Sequence, residues 1–283
     1  MATFYNQATL SYGGREVVSN ITVGQTVGVL TATKTALTDT YRVGDTVTYV
    51  VSLINVGTQP LTGLTLTDDL GAYTTTGGTV VPLDYTEGSL AFFVNGILQP
   101  TPTISAVTAL TVTDLTIPAG GNAQLVYQTT VNEFAPPTTD GSVNNTVTIS
   151  GACITPVTAQ ETITAATGAS LSITKSLTPT IVPENGQLTY TFVIRNTGNV
   201  PATVADNVII TDSFDPVLSD ITVTYEGQPW SAPANYTYNE TTGSFATVPG
   251  QITVPAATYT QDPATGAWTV DPGTVVLTVS GTI

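Results

Sequence analysis

The chain of 283 residues has no histidine, one cysteine and only five basic residues. The absence of histidine removes the most common general base and metal ligand. A single cysteine, Cys153, excludes an internal disulfide and a thiolate cluster, and we interpret it as a small buried thiol. The five basic residues stand against twenty acidic ones, giving a net charge of −15. This balance argues against nucleic acid or an anionic membrane as a partner, because both attract lysine and arginine.

Long apolar runs are missing as well. No stretch approaches the ~20 residues of a membrane span, and the first residues lack the basic and then apolar order of a secretion signal. Asp39/Asp45 and Asp68/Asp69 resemble turn and strand-end acids, because no histidine or nucleophile accompanies them. Calcium at acidic loops such as Asp212 and Asp215 stays an open alternative, although no ligand run with the required spacing is present. The sequence therefore predicts no membrane span, no cofactor, no metal site and no enzyme, and an enzyme is the weakest of three functional hypotheses.

The residues that are abundant favour β-structure. Only 9% are charged, while threonine, valine, 25 glycines and 18 prolines are typical of β-strands joined by turns. Apolar residues alternate with polar ones through Val47, Tyr49, Val51 and Leu53, and again from Leu188 to Ile194. Such alternation indicates half-buried antiparallel strands. We predict an all-β chain of two tandem immunoglobulin-like β-sandwich domains.

An internal repeat sets the predicted domain boundaries. Lys34 matches Lys175 and Tyr49 matches Tyr190 at a constant offset of 141 residues, and a short insertion then aligns Asp68 with Asp212. The first repeat continues beyond Val131 into a closing pair of strands, whereas the second reaches Ile283 at the matching position. We predict a donor segment at 1–28, domain 1 at 29–168, and domain 2 at 169–283 without its closing strands.

The opening stretch supplies a pair of strands of the missing kind. Residues 4–23 resemble 143–163, with Asn6 over Asn145 and a glycine turn in each. We predict that this segment completes domain 2 of a neighbouring copy. The predicted donor residues are Asn6, Ala8, Leu10, Tyr12, Val18 and Ile21. The alternatives are a hairpin that caps domain 1, a hairpin that folds back onto its own domain 2, and a disordered tail.

The two lysines of the chain occupy the same repeat position. Strand parity places Lys34 in a core with Asp68 and Asn145, and Lys175 with Asp212 and, in the donor scheme, Asn6 of the next subunit. A buried lysine needs a partner. One interpretation is an ion pair, with asparagine satisfying the leftover hydrogen bonds. The other is a self-formed Lys–Asn isopeptide bond, because burial favours the neutral, nucleophilic amine.

Two resemblances accompany these motifs. The stretch VGDTVTYVVSLINVGTQPLTGLTLTD (43–68), followed by NTVTISG (145–151), resembles the bacterial and archaeal surface-protein repeat catalogued as domain of unknown function eleven. The resemblance covers 29–165 and, without closing strands, 170–283. It implies an immunoglobulin-like cell-surface building block without known catalysis. The Lys–Asp–Asn sets also resemble those of isopeptide-forming pilin and adhesin domains.

Three functions compete at this stage. The first is a subunit of an extracellular, pilus- or fimbria-like filament on a cell or spore surface, with copies of itself as partners. The second is a monomeric surface adhesin or glycan-binding module, whose aromatic loops either stack on sugars or pack against neighbouring residues. The aromatic residues concerned are Trp230, Tyr236, Tyr238, Tyr259 and Trp268. The third is the enzyme disfavoured above.

Overall fold

The computed structural model describes residues 2–26, 28–151 and 154–283, so Cys153 lies outside the described residues. The chain forms two compact units. Unit 1 comprises Met1–Thr74, Thr79–Ala135 and Ser142–Thr164, and unit 2 comprises Thr75–Gly78, Pro136–Gly141 and Ala165–Ile283. The predicted all-β class is confirmed: the described residues contain strands and one 3-10 turn, Val204–Asp206. None of them belongs to a helix long and apolar enough to span a membrane. The predicted domain boundaries remain an interpretation.

The chain begins with a long hairpin. Its strands are β1 (Ala2–Asn6), β2 (Thr9–Tyr12), β3 (Arg15–Val18) and β4 (Thr22–Thr26). Strand β1 pairs with β4 and β2 pairs with β3. Gly13 and Gly14 form the turn with φ angles of 52° and 74°. Two successive positive φ angles are those of the tight hairpin turn whose twist matches the flanking strands. We call this element the hairpin.

The strands from Leu30 to Ala165 form two six-stranded sheets and one short pair. They are β5 (Leu30–Ala36), β6 (Thr40–Tyr41), β7 (Thr46–Asn55), β8 (Leu61–Asp68), β9 (Tyr73–Thr75), β10 (Gly78–Val80), β11 (Leu83–Tyr85), β12 (Ala91–Val94), β13 (Ile97–Leu98), β14 (Thr103–Ala106), β15 (Leu110–Ile117), β16 (Asn122–Val131), β17 (Ser142–Ser150) and β18 (Val157–Ala165). One sheet has the order β13-β12-β16-β7-β5, with β11 also on β16; the other has the order β14-β15-β8-β17-β18-β6. The predicted inward face of β7 is confirmed, since Val47, Tyr49, Val51 and Leu53 are fully buried.

Unit 2 has a five-stranded sheet, a three-stranded sheet and a short pair. Its strands are β19 (Leu171–Thr178), β20 (Gln187–Asn196), β21 (Thr211–Ser213), β22 (Ser219–Tyr225), β23 (Gln228–Trp230), β24 (Tyr236–Tyr238), β25 (Ser244–Thr247), β26 (Thr258–Gln261), β27 (Trp268–Asp271) and β28 (Gly273–Thr282). The orders are β19-β20-β28-β22-β23 and β21-β25-β24, with β26 on β27. Phe192, Leu277 and Phe245 belong to the core of this unit.

The two units differ at one sheet edge. Asp68 lies opposite Leu110 on β15, and its repeat partner Asp212 lies opposite Phe245 on β25. Strand β8 has neighbours on both sides, whereas β21 is paired on one side only within the described chain. The counterparts of β17, β18 and β6 are missing from that side. Consequently Leu171 of β19 is 41% exposed, while its repeat partner Leu30 is 5% exposed.

Candidate functional site

The hairpin is exposed along its described length. Every side chain from Thr3 to Val23 is exposed, including Phe4 at 56%, Leu10 at 64% and Tyr12 at 57%. Its described side-chain hydrogen bonds are internal, such as that from Gln7 Nε2 to the Ser19 carbonyl at 2.7 Å. The segment is therefore paired with itself and not packed against its own chain. Neither intramolecular alternative predicts this exposure, and a lone two-stranded hairpin is marginally stable in water.

The β1–β4 end of the hairpin repeats the register of β17 and β18. Asn6 lies opposite Thr22, sixteen residues later. Asn145 lies opposite Glu161, again sixteen residues later. In unit 1 the asparagine-bearing strand β17 sits between β8 and β18. A hairpin whose β1–β4 end has the matching register therefore exists for the unpaired side of β21, where the described chain of unit 2 lacks these two strands.

An aromatic residue that sequence reasoning missed fills the hairpin face at its open end. In unit 1, Val143 and Ile163 are directly opposite and both buried. At the corresponding pair of the hairpin, Phe4 lies opposite Gly24. A Cβ on Gly24 would come within 2.2 Å of the Phe4 ring, so the ring covers the glycine. One large side chain thus takes the place of two aliphatic ones. The signal available in the sequence was an aromatic residue paired with a glycine.

The predicted donor residues divide into two groups. Asn6, Ala8 and Leu10 correspond to Asn145, Val147 and Ile149, which are all fully buried in unit 1. Val18 was predicted on their face, but the structure pairs it with Thr9 and pairs Leu10 with Val17. The reason is an extra residue between β3 and β4, which shifts the pairing and reverses the faces.

Ile21 and Tyr12 lie at the margins of the predicted donor face. Ile21 is in the link between β3 and β4, and its counterpart Gln160 is exposed in unit 1. Tyr12 flanks the turn, opposite Arg15. The apolar face of the hairpin is therefore carried by Phe4, Ala8, Leu10 and Val17.

Unit 1 brings the predicted lysine and aspartate together. Lys34 Nζ lies 2.5 Å from Asp68 Oδ2, and both side chains are inaccessible to solvent. The Tyr127 hydroxyl donates a hydrogen bond to the same carboxylate oxygen, and the Leu70 amide donates to the other at 2.8 Å. The Lys34 ammonium also lies 4.8 Å from the centroid of the Tyr49 ring. The charged groups are thus paired in a closed apolar interior.

The predicted asparagine lies in the same interior and is unsatisfied. Asn145 is fully buried, yet neither its amide nitrogen nor its amide oxygen has a hydrogen-bond partner. Burial raises the pKa of the nearby Tyr49 and Tyr127 hydroxyls, and Asn145 opposes that rise by a smaller amount. An unsatisfied buried polar group costs about 1–3 kcal/mol. The ion pair between Lys34 and Asp68 is present, as the simpler interpretation requires, but Asn145 does not form the remaining hydrogen bonds of that pair.

The electrostatics of this cluster favour a nucleophilic amine. Burial lowers the pKa of Lys34, and the neighbouring Asp68 opposes that shift. A lower pKa makes the uncharged, nucleophilic form of the amine easier to reach than in an exposed lysine. Burial also raises the pKa of Tyr127 well above its ordinary value, so its hydroxyl stays protonated and remains a hydrogen-bond donor. The cluster therefore combines an amine, a carboxyl group and an unpaired carboxamide.

Alkaline pH is expected to unfold unit 1 because of its buried tyrosines. Burial raises the pKa of Tyr41, Tyr49 and Tyr127, so each keeps its proton in the folded state where the unfolded chain loses it. Their contribution to the free energy of unfolding is complete below about pH 10 and is lost as pH rises through the raised pKa values. The lowered pKa of Lys34 has the opposite sign and makes unit 1 more stable as pH approaches about 10.5.

Tyrosinate absorbance, followed together with circular dichroism, measures this effect. Exposed tyrosines are expected to titrate first, and the buried ones only as the β-signal disappears. Tyr127→Phe is expected to remove one late-titrating group. Ionisation of all twelve tyrosines in one phase with the fold intact contradicts the assignment.

Unit 2 has the corresponding lysine–aspartate ion pair, but no described strand shields it from solvent. Lys175 Nζ lies 2.5 Å from Asp212 Oδ2, but the side chains are 39% and 17% exposed. The ammonium lies 4.3 Å from the centroid of the Tyr190 ring. Sequence parity predicted Lys175 in a core that the next subunit completes, and in the single chain its side chain is partly exposed. Lys175 points to the predicted face, but no described strand covers it, because the counterpart of β17 is missing.

The aromatic residues proposed as a sugar platform pack within unit 2. Tyr236 is buried, and the Trp230 ring lies 4.9 Å from the Tyr225 ring. The Tyr259 hydroxyl donates to the Thr197 carbonyl at 2.7 Å, and Trp268 lies half-buried on β27. Tyr238 both donates to and accepts from the backbone of Leu218. Their packing roles favour the interpretation that they support the loops. In the described ranges no three acidic or cysteine side chains are placed as metal ligands.

Comparison with known proteins gives structural similarity alone. No family model matches, and no curated protein matches. The likeness to the surface-protein repeat is therefore not confirmed. Solved structures that resemble the chain include the pilus backbone protein RrgB of Streptococcus pneumoniae, with 12% identity and a TM-score of 0.35 over 86% of this chain and 55% of that one.

Other similar structures include a second pilin and an adhesin domain. BcpA, the major pilin subunit of Bacillus cereus, has 10% identity and a TM-score of 0.36 over 87% of this chain and 66% of that one. The collagen-binding domain of a Staphylococcus aureus adhesin has 12% identity and a TM-score of 0.31 over 50% of this chain and 99% of that one. The chain spans about half the length of RrgB. At these identities and TM-scores the similarities assign no family to the chain.

Proposed function

We propose that the protein is the structural subunit of an extracellular filament in which the hairpin of one copy completes unit 2 of the next. One observation carries the proposal: the β1–β4 end of an exposed hairpin has the register of β17 and β18, and β21 is unpaired on the side where unit 1 holds those strands. The donor and acceptor surfaces lie on different parts of the chain. Such a heterologous contact propagates a fibre instead of closing a dimer.

The energies favour docking. Burial of Phe4, Leu10 and Val17 is worth ~1.5–3 kcal/mol for each side chain. Each new ladder hydrogen bond adds ~0.5–1.5 kcal/mol. The loss of translational and rotational freedom costs roughly 4–15 kcal/mol. A contact that also covers β19 and the exposed Lys175 side chain therefore has enough apolar surface to be stable.

Isopeptide bonds form at two places, one within unit 1 and one between neighbouring subunits. The neutral amine of Lys34 attacks Cγ of Asn145, Asp68 relays a proton from the amine to the leaving nitrogen, and the Cγ–Nδ2 bond breaks with release of ammonia. No oxidant or cofactor takes part. In unit 2, Lys175 and Asp212 carry out the same step on Asn6 of the incoming hairpin. The first bond closes unit 1, and the second joins subunits.

This assembly gives the protein a mechanical role at a cell or spore surface. Its partner is another copy of itself, and no nucleic acid, membrane span or catalytic turnover on a foreign substrate is required. Pilus- or fimbria-like fibres with covalent joints resist detergent, and strands that are paired on both sides resist proteases. No feature of the described residues favours the adhesin alternative over this role.

Negative-stain electron microscopy tests the proposal with four proteins. The full chain and Thr9→Asp are expected to form fibres, since Thr9 faces away from the apolar side of the hairpin. The deletion of residues 1–28 and Leu10→Asp are expected to remain monomeric, because the second places a charge on the buried face. Both substitutions add the same charge to an exposed strand, so they are matched for folding. A monomeric full chain, or fibres from the deletion variant, contradicts the proposal.

A further inference from the structure

The closing strands of unit 1 are covered on their outer side. Strand β6 lies beyond β18 in the sheet. The Thr164 amide of β18 donates to the Asp39 carbonyl at 3.0 Å. Tyr41 of β6 is 2% exposed. The closing pair is therefore held from both sides, by β8 on one flank and by β6 on the other.

The counterpart of β6 can be located in unit 2 from contacts at both ends of the segment. At the start, Lys175 pairs with Asp212 as Lys34 pairs with Asp68. At the end, the Asn185 amide donates to the Ile283 carbonyl at 3.0 Å, as the Gly44 amide donates to Val131 at 2.8 Å. The same number of residues separates the two anchors in each unit, so residues 180–182 are the counterparts of 39–41.

This counterpart of β6 is present in unit 2 but pairs with no described strand. Residues 179–184 belong to no strand, and Ile181 is 89% exposed. Val182, the counterpart of Tyr41, packs partly against the unit 2 core. Among the described residues, no hydrogen bond involves the backbone of residues 180–182. Pro179 and Pro183 flank the three amides and supply no N–H of their own.

We propose that residues 179–183, which we call the strap, form an edge strand on β4 of the incoming hairpin and hold it from the side opposite β21. The inference rests on the proposed strand donation and adds a second contact surface to it. By correspondence with Thr164 and Asp39, the Gln25 amide of one subunit donates to the Thr180 carbonyl of the next. The docked hairpin then lies inside a sheet instead of at its edge.

The two prolines that bound the strap also limit strand pairing at its outer edge. An exposed strand edge invites pairing with other chains, and proline at such an edge blocks it. A strap bounded by Pro179 and Pro183 offers only three amides; those of Thr180 and Val182 face the donated strand, which leaves the Ile181 amide alone on the outer edge. The completed sheet therefore ends in an edge that is poorly suited to further strand addition. Growth is directed along the fibre and away from lateral aggregation.

Hydrogen exchange with mass spectrometry tests the strap directly. Peptides covering 178–186 are compared between fibres of the full chain and monomers of the variant lacking residues 1–28. For the amides of residues 180–182 we expect rapid exchange in the monomer and exchange slowed by on the order of tenfold or more in the fibre, whereas the Asn185 and Gly186 amides are already hydrogen-bonded in both samples. Peptides covering 38–42 are the internal control, because β6 is already paired in unit 1. They are expected to be protected in both samples.

The outcomes separate the strap from the proposed function. Fibres in which 178–186 exchange as fast as in the monomer, while 22–26 become protected, overturn the strap and leave strand donation standing. Protection of both segments supports the two together. If the full chain forms no fibres, strand donation fails and the strap fails with it. Protection of the amides of residues 180–182 that is already present in the monomer also overturns the inference.

Discussion

Replacing Asn145 with alanine is expected to prevent the isopeptide bond of unit 1, and with it the loss of one ammonia molecule from the chain. It is also expected to destabilise unit 1 strongly. The chain with an intact isopeptide bond weighs less than its sequence by one ammonia molecule, and Asn145→Ala restores the full sequence mass of that variant. The bond between Lys34 and Asn145 closes a loop of more than a hundred residues. By analogy with a disulfide of that span, its loss lowers the free energy of unfolding by about 4–5 kcal/mol.

Intact-mass measurement and urea unfolding of the monomeric variant lacking residues 1–28 check this prediction. Asn144→Ala is the matched control, since Asn144 is exposed on the opposite face of the same strand. It is expected to keep the mass loss and the stability. Asp68→Asn is expected to keep the full mass, because the proton relay is removed while the side-chain volume is retained. A parent chain of full sequence mass leaves only the buried ion pair and contradicts the bond.

The buried cluster of unit 1 was predictable from the sequence because it depends on strand parity. A repeat offset and simple alternation placed Lys34 and Asp68 on inward faces, and the structure brings them to 2.5 Å from strands of two different sheets. Asp68 ends the part of β8 from Leu64 onward in which buried residues alternate regularly. The Tyr127 hydroxyl was not predicted, because its strand partner depends on which sheet faces which, and alternation alone does not specify that.

The hairpin was harder to predict in detail. An extra residue between β3 and β4 moves Val18 to the face of Thr9, and nothing in the apolar pattern marks that shift. Phe4 was missed because its buried counterpart in unit 1 is a pair of aliphatic residues and not one aromatic residue. The stretches 72–116 and 215–271 were not resolved into strands, because short strands between proline- and glycine-rich loops carry too few alternations.

Fibres of the full chain are expected to survive hot detergent as a ladder of multimers, and fibres of Asn6→Ala are expected to fall apart into monomers. Lys175 and Asp212 lie 2.5 Å apart but open to solvent. Docking of the hairpin covers them and brings Asn6 to the position that Asn145 holds in unit 1. The carboxamide is then the only reacting group supplied by the neighbour. Denaturing electrophoresis of fibres collected by sedimentation measures the effect.

Asn20→Ala is the matched control for that experiment, because Asn20 belongs to the same exposed hairpin but lies in the link between β3 and β4. Its fibres are expected to give the same ladder as the parent. Lys175→Arg is expected to behave like Asn6→Ala, since a guanidinium keeps the charge but does not act as a nucleophile. If parent fibres dissolve completely while unit 1 still shows its mass loss, the two sites differ in reactivity. The counterpart of Tyr127 in unit 2 is Val279, so Asp212 lacks the hydrogen bond that the Tyr127 hydroxyl donates to Asp68. In that case Val279→Tyr, which supplies a hydroxyl at this position, tests whether its absence explains the difference.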